Sequence, residues 1–213
     1  MTERQKIIFS AIPTCEVFAD VGCDHGYIAK SMITSKKCNK VIISDISAKC
    51  LSKAEKLLAN ELANGTAVKV VSDGLKDIPY ADTVLIAGMG GQEIISIIKS
   101  APFYPEKLIL QPMKNTDLVR VEAVKLGYKI IKDFVFLSSG IFYDLIILEK
   151  GDDNLSQEEI EFGRTNIKDR HEDFIKKIKW QIQKIKGYIE SGKLSQSDTL
   201  KMQERIKNLE KYV

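Results

Sequence analysis

Five short apolar, β-branched runs set the frame of the first half of the chain: EVFAD (16–20), KVIISDI (40–46), AVKVVSD (67–73), TVLIAGM (83–89) and KLILQPM (107–113). Each is nearly continuous in apolar character, as strands are when both faces are covered. Helical patterns separate them. One follows Gly26. Another spans 48–62, with Leu51, Ala54, Leu58 and Leu62 on one face, and 92–100 and 116–126 supply two more. Thr116 is placed to cap the last of these helices and Gly127 to stop it. Such alternation predicts a doubly wound, mainly parallel sheet, whose ligands bind beyond the carboxyl ends of the strands.

The pattern changes after Gly127. YKIIKDFVFLSSG (128–140) and IFYDLIILEK (141–150) are strand-like with no helix between them, so they are predicted to pair as an antiparallel hairpin. A mostly parallel α/β sheet ending in such a hairpin is similar to the class I methyltransferase, Rossmann-like fold, an analogy at the level of fold alone. It differs from a typical dinucleotide-binding dehydrogenase. Residues 156–190 then contain no proline, and Ile160, Ile167, His171, Phe174, Ile178, Ile182, Ile185 and Ile189 recur at steps of three, four or seven. That spacing is a helical seam. After a polar break at SGKLSQSD (191–198), Met202, Ile206, Leu209 and Val213 resume it. The expected organisation is a cofactor-binding catalytic domain over 1–152 and a coiled-coil-like α-helical hairpin over 153–213. His171 reads as a packing or polar register residue of the seam.

Each strand end carries a polar or glycine signal. The first gives Asp20-Val-Gly22-Cys23-Asp24-His25-Gly26-Tyr27. Gly22 permits a tight turn and close ligand approach, and Gly26 lets the next helix begin near the sheet. Asp45, before Ile46, is placed to accept hydrogen bonds from ribose hydroxyls, or to cap the helix that follows. Asp73-Gly74 is either a plain turn or a carboxylate for an exocyclic amine such as that of adenine. Ile86-Ala87-Gly88-Met89-Gly90-Gly91 has three glycines in four residues, which implies close approach by a ligand. Gln111 and Asn115 offer amides suited to a base edge. Together these ends point to a nucleoside-containing, adenosine-like cofactor.

DVGCDHGYIA, the SDGL turn, IAGMGG, LILQPM and the FYDLIILEK hairpin, with the helical C-terminus, resemble the bacterial TrmK family over essentially the whole chain. Its members are tRNA (adenine-22-N1)-methyltransferases that use S-adenosyl-L-methionine. The resemblance implies that Gly22 and Gly26 flank the methionine part of the cofactor and that Asp45 binds its ribose. Asp73 and Gly74 would border the adenine, and Gly88, Met89, Gly90 and Gly91 would line the meeting place of cofactor and target base. Asp20, Cys23, Asp24, His25 and Ile46 complete the expected cofactor set. Cys23 and Gly26 stand where serine and alanine are usual in the family, and Met113 where asparagine is, which leaves Asn115 as the nearby amide.

For the chemistry so implied, adenine N1 attacks through an in-plane lone pair without prior deprotonation, so positioning is expected to supply most of the acceleration. The adduct is cationic. Asp24 is the catalytic candidate, stabilising that charge or accepting a proton from the exocyclic amine. Two other readings stand beside it: Asp24 binds the ammonium of the cofactor's methionine, or Asp24 and His25 merely tolerate unusual backbone angles. The base must be extruded from folded tRNA, and Tyr27, Tyr80 or Met89 are candidates to shelve it. Lys176, Trp180 and Lys184 fall four apart opposite the seam, either a contact for phosphate and base or a solvated face.

Composition limits the alternatives. The chain has 213 residues and a net charge of +3, too mild to mark a nucleic-acid binder by itself. Its four cysteines, Cys15, Cys23, Cys38 and Cys50, form no CxxC pair, so no zinc site is expected and a reducing cytoplasm fits. No membrane segment, signal peptide or obligate protein partner is expected. Methylation of another substrate, or a non-catalytic nucleotide-sensing module with a partner-binding hairpin, are the competing functions.

Overall fold

The structure is a computed structural model and describes residues 1–192 and 194–213. Of the polar break expected at 191–198, Lys193 lies outside the described residues. The sheet strands are β1 (Val17–Val21), β2 (Lys40–Asp45), β3 (Ala67–Val71), β4 (Thr83–Met89), β5 (Lys107–Pro112), β6 (Tyr128–Ser138) and β7 (Ile141–Lys150). Their order is β3-β2-β1-β4-β5-β7-β6. The first five are parallel, and β7 runs antiparallel between β5 and β6. The alternation and the closing hairpin both form as the sequence predicts.

Helices cover both faces. Within β1, Ala19 and Val21 enter the core under α5 (Gly91–Lys99) and α6 (Thr116–Lys125), whereas Phe18 enters the opposite core. That second core is roofed by α1 (Glu3–Ala11), α2 (Tyr27–Thr34) and α3 (Ala48–Leu57). The period-two alternation of a strand divides the apolar residues between the two layers.

Several expected boundaries move. The helix over 48–62 breaks at Leu58 (φ −104°, ψ 21°), so α3 is followed by a separate α4 (Ala59–Ala63). Thr116 is the first helical residue, not the cap. Asn115, left-handed at φ 56°, takes the cap position without a side-chain hydrogen bond. Gly127 stops α6 at φ +83°, as expected. Helix α1 lies outside the elements predicted from sequence, and Thr2 and Gln5 form a reciprocal capping box at its start.

The seam over 156–190 is three helices: α7 (Gln157–Phe162), α8 (Arg164–Asp169) and α9 (Glu172–Glu190). Gly163, at φ +87°, divides the first two because a Cβ there would collide with the Asp133 carboxylate and lie 2.8 Å from Arg120 Nη2. Arg170, left-handed at φ 45°, ends α8. His171 is therefore the exposed cap residue of α9 and not a seam residue. It lines a cavity of about 300 Å³ with Ile7, Phe134 and Phe136. The hairpin proper is α9 with α10 (Gln196–Glu210), joined by Phe174, Ile178, Ile182, Ile206 and Leu209. Tyr212, not Val213, ends its buried face.

These helices are bound to the sheet through the outer edge of β6. The amides of Ile130, Asp133, Val135 and Leu137 donate to Asp153 Oδ2 (2.9 Å), Thr165 Oγ1 (3.0 Å), Asn166 Oδ1 (2.9 Å) and Asp173 Oδ2 (3.0 Å). Side chains thus satisfy backbone donors that an edge strand otherwise leaves open for another chain.

Candidate active site

β1 and β4 are neighbours, yet α2 leaves on one face and α5 on the other. This is the switch point where open α/β sheets bind ligands. The turn after β1 is fixed to β2, since the Gly22 and Cys23 amides donate to the Ser44 carbonyl at 2.8 and 3.1 Å. Gly22 has φ +71°, and a Cβ there would collide with the Met89 methyl. Beside this turn lies a cavity of about 270 Å³ lined by Asp20, Gly22, Cys23, Asp24 and Tyr27 with Ala87 and Gly88 of β4. Arg4, Gln5 and Ile8 of α1 close it.

Charge inside this cavity is unusual. Asp20 is buried, and burial pushes its carboxyl up to about 7 against an opposing hydrogen bond from the Ala29 amide in the first turn of α2. Burial, with Asp20 and Asp45 nearby, also raises the Cys23 thiol, so it is a neutral wall residue. Arg4 donates through Nε (2.8 Å) and Nη2 to Gln111 Oε1, and its guanidinium lies over the Tyr143 ring at 5.2 Å. A carboxyl and a cation lining one cavity suit a ligand bearing both charges at one end.

Asp24 stands at the mouth, left-handed at φ 46°, with its side chain 57% exposed. Its oxygens accept from Lys53 Nζ at 3.0 Å and meet His25 Nδ1 at 2.5 Å. Desolvation raises its carboxyl, but the bonds from Lys53 and His25 outweigh this and hold it below the usual carboxylate range. The His25 and Tyr27 rings stack at 5.6 Å, 5° apart.

The remaining expected residues do not line this cavity. Asp45 and Ile46 lie at the end of β2, where the Asp45 carboxylate accepts from the Ser47 amide at 3.0 Å and Ile46 is 70% exposed. Asp73 is exposed and paired with Lys76 at 2.5 Å, while Gly74 packs on Ile97. Gly26 packs on Ala54 and Leu58. The glycine run divides by cause. Gly88 receives the Arg4 guanidinium, 3.0 Å from where a Cβ would stand, and Gly90 caps α5. Gly91 is needed because the Asn115 and Lys114 carbonyls come within 2.5 and 2.8 Å of a Cβ there. Close approach by the chain's own backbone therefore explains Gly91.

Gln111 is buried, its Oε1 taken by Arg4 and its Nε2 donating to the Pro112 carbonyl at 3.0 Å. Asn115 is exposed. On α9, Lys176 pairs with Glu172 at 2.8 Å, whereas Trp180 is 52% exposed with Lys184 Nζ 5.1 Å above its ring. Arg4, Lys53 and Tyr143 escaped sequence reasoning. Only the Thr2–Gln5 capping box offered a signal, and only for the helix carrying Arg4.

Residues 18–211 match the family described as TrmK: tRNA (adenine(22)-N(1))-methyltransferase. The chain belongs to the TrmK family. The tRNA (adenine(22)-N(1))-methyltransferase of Bacillus subtilis (strain 168) is 26% identical to it, over 98% of this chain and 92% of that protein. M. capricolum TrmK, solved with S-adenosyl-homocysteine, matches with a TM-score of 0.86 at 25% identity, over 100% of this chain and 97% of that one. Sp1610 of Streptococcus pneumoniae gives 0.90 at 21% identity, over 100% and 99%, a likeness of fold. These matches span α7 to α10, so the helical C-terminus belongs to the architecture of this TrmK-family chain. No helix among the described residues is long and apolar enough to cross a membrane.

Proposed function

We propose that this TrmK-family chain transfers a methyl group from S-adenosyl-L-methionine to N1 of adenine 22 in tRNA. The observation carrying the proposal is the cavity at the β1–β4 switch point, with Asp20 and Arg4 in its lining. Bound there, S-adenosyl-L-methionine supplies an electrophilic methyl group on a sulfonium. Its charged amino-acid end fits this cavity. In this reading Asp45 takes the ribose, and Ile46, Asp73 and Gly74 the adenine, because open α/β sheets bind ligands beyond their strand ends.

Asp24, exposed at the mouth of the cavity, is our candidate for the methyl-acceptor side. Its ion pairs keep it ionised, which suits it to stabilise positive charge on the base better than to remove a proton. Asp20, inside the cavity, is better placed than Asp24 for the cofactor's ammonium. Tyr27, stacked on His25, offers a ring for the extruded base. Gln111, spent on Arg4, orients that arginine; Gly88 and Met89 border the meeting place of cofactor and base, and Gly90 and Asn115 the base itself, while Gly91 is buried against the chain's own carbonyls.

Residues 1–152 form the catalytic unit in this reading, and 153–213 a second unit that grips tRNA. Trp180 with Lys184 is its contact, and Lys176 adds charge near its start. Methyl transfer from labelled cofactor to unmodified tRNA tests the proposal. Cofactor binding without transfer to any tRNA defeats it.

A further inference from the structure

The segments leading into β1 and β2 bring two cysteines together, at the end of the sheet opposite the cofactor turn. Val17 pairs with Lys40 in the parallel register, so two residues earlier Cys15 lies level with Cys38. Backbone bonds hold this overhang. The Cys15 amide donates to the Lys37 carbonyl at 2.9 Å, and the Asn39 and Lys40 amides donate to the Glu16 carbonyl at 3.1 and 3.0 Å. Both side chains enter the core beneath α1, α2 and α3, where their thiols are hydrogen-bond partners. Neighbouring strands of a sheet stand about 4.8 Å apart, within the range of about 4.4–6.8 Å that a disulfide spans between Cα atoms. The backbone therefore already holds the spacing such a bond needs.

The two thiols are not equivalent. Cys38 is buried, whereas Cys15 is half-buried. The Cys38 thiol donates to the Cys15 sulfur and holds the Cys15 thiol below its ordinary range, helped by Lys107 and opposed by burial and Asp82. Cys38, which keeps its proton for that bond, is pushed up. Cys15 is thus the sulfur that ionises first and that solvent reaches. Lys37 adds a fixed cation. Its Nζ donates to the Phe9 and Ile12 carbonyls at 3.1 and 2.5 Å and stands 4.7 Å from the Phe9 ring centre. Burial lowers its ammonium, and the charge acting against this is that of Cys15. Asp82 is occupied, its Oδ2 accepting from the Glu16 and Val17 amides at 3.0 and 2.7 Å. A thiolate beside such a cation is the reactive form of cysteine.

We propose that Cys15 and Cys38 are a redox-modification site, joined in a reversible disulfide when a hydroperoxide attacks. The Cys15 sulfur takes the terminal peroxide oxygen, the O–O bond breaks, and the departing hydroxide gains a proton to become water. Cys15 is then a sulfenic acid. The Cys38 sulfur attacks the Cys15 sulfur, the S–O bond breaks, and the hydroxyl leaves with the Cys38 proton as a second water. Two thiols and one hydrogen peroxide give one disulfide and two waters. The bond closes a loop over residues 15–38. That loop contains β1, the turn from Gly22 to Gly26 and α2, so it clips the base of the unit whose other end lines the candidate cofactor cavity. The proposal does not depend on the methyl-transfer reading.

Peptide mapping tests it. Hydrogen peroxide is added to the folded, full-length protein, the reaction is stopped with acid, and free thiols are alkylated in urea before digestion. The expected product is a Cys15–Cys38 linked peptide from the monomer, with two hydrogens lost from the intact mass, and a thiol reductant reverses both changes. Cys38→Ser should instead accumulate a sulfenic acid on Cys15 that dimedone traps, and Cys15→Ser should leave Cys38 alkylatable. The map of the unsubstituted protein decides the bond even where a variant fails to fold. Oxidation of that protein that stops at a sulfenic or sulfinic acid on Cys15 overturns the proposal. So does oxidation that falls first on Cys23 or Cys50, or a protein whose four thiols all remain alkylatable.

Discussion

Arg120 Nε donates to Asp133 Oδ2 at 2.8 Å, and both side chains are out of contact with water. The same arginine donates to the Ile160 and Glu161 carbonyls at 3.0 and 3.3 Å, and Asp133 accepts from the Thr165 amide at 2.9 Å. One pair thus joins α6, β6, α7 and α8. Asp133→Ala takes away the bonded partner of buried Arg120 and leaves it only Asp144, 3.8 Å from Nη2, which should cost about 3 kcal/mol. Replacing both partners by apolar residues, Arg120→Met with Asp133→Leu, should cost clearly less than the two single losses added. Urea unfolding of the four proteins measures the coupling, and simple additivity would contradict it.

Asp20 makes the stability of the ligand-free protein depend on pH. Its folded carboxyl is raised to about 7, above the value of about 4 in an unfolded chain. The folded state therefore binds the proton more tightly, and stability falls as pH rises from about 4 to about 7. Asp20→Asn should remove this fall. The difference in melting temperature between the two proteins, followed from pH 4 to 8, should grow in favour of the variant. A difference independent of pH would show that Asp20 does not titrate in this range.

Asp24→Asn keeps a residue that tolerates the left-handed backbone but removes its charge. Turnover should drop about 100-fold or more, while cofactor affinity changes little. A matching loss of cofactor affinity would assign Asp24 to the ammonium.

On α9, Lys184→Ala should weaken tRNA binding and lower the dependence of log affinity on log salt by about one. Binding titrations at several salt concentrations give that slope. Trp180→Ala should weaken binding with the slope unchanged, as stacking is lost rather than charge.

The sheet was legible because its buried strands are continuous apolar runs, and the strand-end residues because each follows directly on such a run. Asp20, Gly22, Cys23, Asp24, Tyr27 and Gly88 all meet at one cavity for that reason. What escaped reading is held by contacts between distant segments. Arg4 and Gln111 are 107 residues apart, and Asn166 meets Val135 across 31. The helical seam misled because its spacing survives interruption at Gly163, where the cause is the Arg120–Asp133 pair and not any local propensity. The glycines of IAGMGG look alike in sequence, yet Gly88 faces an arginine and Gly91 the chain's own carbonyls.

Mapping the product tests methyl transfer to adenine 22. Unmodified tRNA carrying adenine at position 22 is incubated with the protein and labelled S-adenosyl-L-methionine, then digested and sequenced for modified nucleosides. 1-Methyladenosine is expected at position 22, and none in the same tRNA with guanine there. Label at another position, on another atom, or undiminished by that replacement would contradict it.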